Sequence, residues 1–109
     1  MLYEFNNVDV EFGIAFSGDI SGGGWSNDLE KIIKDKLNPE KFKKIIKEEN
    51  WNYSEIDFIM SKDKLDFKLE INKADTISII LLSKPTESNK QKLREWTSII
   101  ETETQKLKS

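Results

Sequence analysis

Leu65-Asp66-Phe67-Lys68-Leu69-Glu70-Ile71 alternates apolar and charged residues without a break. In an extended chain successive side chains point to opposite faces, so four apolar residues share one face and three charges the other. Such a segment is a strand of an antiparallel sheet with one face on a core and one in water. Just before it, Ile56, Phe58 and Met60 alternate with Glu55, Asp57 and Ile59, which predicts a second strand, turned at Ser61-Lys62-Asp63-Lys64. After it, Asn72 to Asp75 predicts another turn. Thr76 to Ser83 is then almost continuously apolar (Ile77, Ile79, Ile80, Leu81, Leu82), the pattern of a central strand covered on both faces. Short turns make these three strands an antiparallel meander.

Outward from the meander, Val8, Val10, Phe12, Ile14 and Phe16 alternate with Asp9, Glu11, Gly13, Ala15 and Ser17, a half-buried strand. Leu2 to Phe5 is expected to form a separate short strand, turned at Asn6-Asn7. Gly18 to Gly24 holds four glycines and is expected to be a loop. Asn27 and Glu30 form a plausible capping pair for a helix with Leu29, Ile32, Ile33 and Leu37 on its apolar stripe. Asn38-Pro39 breaks that helix. Phe42, Ile45 and Ile46 fit the spacing of a second helix ending near Asn50. Pro85 opens a final helix from Thr86 to Lys108, with Leu93, Trp96, Ile99, Ile100 and Leu107 inward. The expected fold is a single α+β domain over residues 1–109, a two-layer sandwich of a mainly antiparallel sheet with helices packed on one face, in the order β(β)-α-α-β-β-β-α.

Composition narrows the chemistry. The chain has 109 residues, no cysteine and no histidine. Thiol chemistry, histidine-activated nucleophiles and Cys/His metal sites are excluded. No cofactor and no metal are expected. Apolar residues reach 37%, too many for a disordered chain. No signal peptide or membrane-spanning segment is legible, so the expected location is the cytoplasm. Net charge is −3, and residues 1–24 carry Glu4, Asp9, Glu11 and Asp19 with no basic residue. Arg94 is the only arginine among 17 basic residues, leaving few of the rigid forks suited to phosphate. The helix–strands–helix order invites comparison with double-stranded-RNA-binding domains. The start of the last helix, Lys84-Pro85-Thr86-Glu87-Ser88-Asn89-Lys90, lacks the lysine cluster that would grip phosphate, so no direct contact with DNA or RNA is expected.

Three functional expectations follow. Asp9 and Glu11 share one strand face, as do Glu55 and Asp57, and Trp51 and Tyr53 lie just before the second pair, in or beside a loop. These six residues are the candidate partner-binding set of an acidic, non-enzymatic protein-binding module. A concrete form is an immunity- or antitoxin-like protein that covers the cationic site of a basic toxin such as a nuclease. The bland alternative for the acids is a solvated sheet face. The second expectation is a phosphate or small-ligand cradle at Gly18, Ser21, Gly22, Gly23 and Gly24, although neither Walker nor dinucleotide spacing is present. The third is a structural subunit that dimerises through the last helix, where Leu93, Trp96, Ile100 and Leu107 fall at heptad-like spacing. The chain is expected to be a monomer or homodimer.

Overall fold

The computed structural model describes residues 2–7, 11–18, 25–49, 54–71 and 76–106. They form a six-stranded antiparallel sheet with two helices. The elements run β1 (Leu2–Asn7), β2 (Glu11–Ser17), α1 (Trp25–Ile32) continued by a π-helical turn (Ile33–Leu37), β3 (Lys41–Glu49), β4 (Ser54–Lys62), β5 (Leu65–Ile71), β6 (Thr76–Leu81) and α2 (Glu87–Lys106). The strand order across the sheet is β1-β2-β6-β5-β4-β3. The strands β3 to β6 form one meander, and the β1–β2 hairpin joins its far edge through β2 and β6.

Register turns the period-two pattern into a core. Phe12, Leu81, Phe67 and Met60 lie in one cross-strand row. Ile14, Ile79, Leu69 and Phe58 make the next row, and Phe16, Ile77, Ile71 and Ile56 the third. All twelve are buried. Leu29, Ile33 and Leu37 from the first helical segment and Leu93, Trp96 and Ile100 from α2 cover them. Trp96 stacks on Phe67 with ring centroids 5.1 Å apart. Thr97 and Thr104, also buried, donate their hydroxyls to the carbonyls of Leu93 and Ile100, so neither leaves a polar group unsatisfied.

Local chemistry sets the ends. Asn38 ends the helical turn in the left-handed region at φ 50°, its N–H donating to the Ile33 carbonyl at 3.1 Å. Asparagine tolerates that conformation better than most residues. Thr86 caps α2 by accepting from the Asn89 N–H at 3.1 Å, while Asn89 donates its side-chain amide to the Lys84 carbonyl. The β4–β5 turn is tighter than expected: Ser61 and Lys62 belong to β4, and Asp63 and Lys64 alone make the turn, with φ 50° and 68°. Positive φ at both central residues is the signature of a type I′ turn.

Asn6 and Asn7 belong to β1, paired with Phe12 and Glu11, so they do not form its turn. Four further expectations need correcting. The segment around Phe42, Ile45 and Ile46 is the strand β3, not a second helix, so the order is β-β-α-β-β-β-β-α. Spacing alone allowed both readings, because Phe42, Lys44 and Ile46 also alternate. The free edge of β4 decides: Phe42, Lys44 and Ile46 pair with Met60, Phe58 and Ile56, and Phe42 stacks on Phe58. Backbone pairing and two β-branched residues outweigh the helix propensity of the lysines. Second, α1 already includes Trp25, so Asn27 lies inside its first turn rather than ahead of it as a cap. Third, Ile99 is exposed, while Leu93, Trp96 and Ile100 face the sheet. Those three are spent in this chain's own core and are not free for a helical seam; Leu107 lies outside the described residues. Fourth, β6 is interior as expected but covered by helices on one face only: on the other, Thr76 and Ser78 are half-buried and Leu82, just beyond the strand, is 49% exposed.

Candidate functional site: the open face of the sheet

Both helices cover the same sheet face. On the other face lie the odd-numbered residues of β1, β2 and β4 and their partners. Across the middle run Tyr3, Ala15, Ser78, Glu70, Asp57 and Ile45; beside them run Phe5, Gly13, Ile80, Lys68, Ile59 and Lys43. This face mixes aromatic and aliphatic residues with charge.

Its β1 corner is apolar. Tyr3 is 59% exposed, and Phe5 is also exposed. The Phe5 ring lies over Gly13 so closely that a Cβ on Gly13 would sit 2.2 Å from it. In the small row Gly13, Ala15 and Ser17, Gly13 thus receives an aromatic ring from β1. A residue without a side chain is required there for ring and backbone to meet.

Its centre is charged. Lys68 Nζ lies 2.8 Å from Glu70 Oε1. The hydrogen bond to Glu70 raises the Lys68 pKa above its ordinary value, with further charge support from Asp57 and Glu11. Lys68 is therefore protonated at neutral pH and unsuited to act as a base or an amine nucleophile. Its positive charge also offsets the repulsion between Glu70 and Asp57, which stand directly opposite each other across the β4–β5 ladder.

The candidate residues read from the sequence divide unevenly over this surface. Glu11 is half-buried and Asp57 is 8% exposed, so Asp57 is part of the sheet's packed surface rather than a projecting charge. Their strands are not neighbours, because β6 and β5 lie between β2 and β4. The two carboxylates nonetheless act on the same lysine. Glu55 is on β4, paired with Glu48, and its side chain lies outside the described residues, as do Asp9, Trp51 and Tyr53. Gly18 is buried just after β2; Ser21, Gly22, Gly23 and Gly24 lie outside the described residues. Sequence reasoning missed Tyr3, Phe5, Leu82, Lys68 and Glu70 as members of one surface. The polar side of the Leu65–Ile71 alternation pointed to the last two; no spacing signal joins β1 to β6 and β5.

Among the described residues, no group of three or more carboxylates is placed to hold a metal ion. No helix among them is long and apolar enough to cross a membrane. Compared with protein-family models, with curated proteins and with solved structures, the chain matches none.

Proposed function

We propose that this chain acts by binding a protein on the open sheet face rather than by catalysis, and that the partner is basic. A concrete form is an immunity- or antitoxin-like protein that covers the cationic site of a toxin such as a nuclease. One observation carries the reading: a sheet face left uncovered by both helices, with exposed Tyr3 and Leu82 at its rim and Glu11, Asp57 and Glu70 around a single lysine. Aromatic and aliphatic side chains supply area that a partner can desolvate. Among the described residues, Glu11, Asp57, Asp66 and Glu70 outnumber Lys41, Lys43 and Lys68 on this face, a small excess of negative charge that favours a cationic partner and speeds its association.

The test is affinity capture from the native host with the wild-type chain and with the triple variant Glu11→Lys, Ser78→Lys, Leu82→Ser. These positions lie on the open face, outside the buried core. A cationic protein retained by the wild type, released by salt and lost in the folded variant is the expected result. An identical set of captured proteins for both chains, or an acidic partner, refutes the reading.

A further inference from the structure

The two edges of the sheet are built differently. At one edge, β3 carries Lys41, Lys43, Lys44 and Lys47, and its register with β4 is broken by a bulge between Ile46 and Glu48. Lysines and bulges are what keep an edge strand from recruiting another strand. At the other edge, β1 reads Leu-Tyr-Glu-Phe-Asn-Asn, with no lysine, proline or glycine. Its register with β2 is unbroken from Leu2 opposite Phe16 to Asn7 opposite Glu11. Among the described residues β1 pairs on one side only. Half of its backbone N–H and C=O groups therefore point away from the sheet. Its one charge, Glu4, is already held by Arg94 of α2 through a forked ion pair. Nothing in β1 repels an incoming strand.

We propose that β1 is a dimerisation edge, occupied by β1 of a second copy in antiparallel pairing about a twofold axis through Phe5. The register follows from charge. An axis through Glu4 would set two carboxylates directly opposite each other, which is unfavourable. An axis through Tyr3 leaves only the first half of the strand paired. An axis through Phe5 pairs Tyr3 through Asn7 with the same residues of the second copy. It sets Phe5 opposite Phe5 in the ladder, each ring lying back over Gly13 of its own copy and leaving the backbone edge open for pairing. On the helix face it sets Glu4 against Asn6, whose amide donates to the carboxylate while Arg94 stays in place. The unequal edges also set the size of the assembly. Pairing of β1 with β3 would be head-to-tail and would propagate into a filament, and the lysines and bulge of β3 oppose it. Pairing of β1 with β1 consumes the more permissive of the two edges of the described sheet and closes the assembly at two. The second copy's open face becomes continuous with the first. This inference is independent of the partner-binding reading, because it concerns the edge and is measured with the purified chain alone.

An edge contact of this length belongs to the small, weak class of interfaces, below about 1,200 Å2. Sedimentation equilibrium from about 10 µM to 1 mM is therefore the test. The wild type is expected to pass from monomer to dimer across this range. Tyr3→Lys, which puts on this edge the kind of residue that keeps an edge strand from recruiting another, is expected to weaken dimerisation at least tenfold. Lys43→Glu on the far edge leaves it unchanged. A wild-type monomer at 1 mM, a dimer insensitive to Tyr3→Lys, or one abolished by Lys43→Glu overturns the proposal. Because the chain has no cysteine, Phe5→Cys tests the axis directly. Mild oxidation should cross-link it into a covalent dimer, and a folded variant that stays uncross-linked at dimerising concentrations overturns the register. Should that variant fail to fold, the sedimentation series still decides.

Discussion

Glu40 ties the start of β3 to the β4–β5 turn. Its backbone N–H donates to the Ser61 carbonyl at 2.8 Å, and its carboxylate accepts from the Asp63 N–H at 3.2 Å. That bond to the charged form, followed by one from its own backbone N–H and by nearby Lys62, lowers the Glu40 pKa. The sign of the pH effect follows. A carboxyl whose folded pKa is depressed adds stability above its unfolded pKa and loses it as pH falls through the folded value. Glu40→Gln is therefore expected to lower the urea midpoint at pH 7, with the difference from wild type closing near pH 2. A gap that stays constant across that range would show that the charge on Glu40 contributes nothing. Arg94 is a similar single-residue tether, joining α2 to β1. Its pKa is raised by Glu4, but an arginine is charged throughout the accessible range and brings no pH dependence.

The β4–β5 hairpin holds the clearest local mismatch between residue and conformation. Lys64 adopts φ 68°, a region where a Cβ costs roughly 1–2 kcal/mol and where glycine is favoured. Lys64→Gly creates an Asp-Gly turn and is expected to stabilise the chain by about 1 kcal/mol after glycine's own entropy is counted, raising the melting temperature by about 4–8 °C. Calorimetry showing a lower melting temperature would mean that the lysine makes a compensating contact. At this scale the sequence was legible where one period dominated. The alternations in β2, β4 and β5 could be read because each buries one face. The stretch Phe42-Lys43-Lys44-Ile45-Ile46 could not, because its apolar spacing serves a helix and a strand alike and only the free edge of β4 separates them. The acidic surface was half legible. Glu11 and Asp57 do share a face and a lysine, but the strands between them come from a pairing of β2 with β6 that no short-range pattern encodes.

For the whole molecule, the core is one layer of aromatic and aliphatic side chains between sheet and helices, and Phe67 sits in it fully buried against Trp96. Phe67→Ala removes the stacked ring and leaves a cavity, at a cost of about 3–5 kcal/mol. Domains of this kind are stable by only about 5–15 kcal/mol, so the variant should lose a large share of its unfolding free energy in urea. A loss below about 1.5 kcal/mol would show that the core collapses around the gap. Edge and centre should differ as well: β5 and β6, flanked on both sides, hold their amides more tightly than β1 and β3.

The union of β2 with β6 also has a meaning for a chain emerging from the ribosome. The register partner of Phe16, Ile77, follows it on the order of 60 residues later, several seconds at about 5–20 residues per second. During that interval Phe12, Ile14 and Phe16 have no neighbour on the β6 side. A nascent chain of this design offers an apolar hairpin to whatever waits at the tunnel exit until its last strand is translated. Slowing translation between β2 and β6 should lengthen that exposure and increase the share of chains captured by ribosome-bound chaperones.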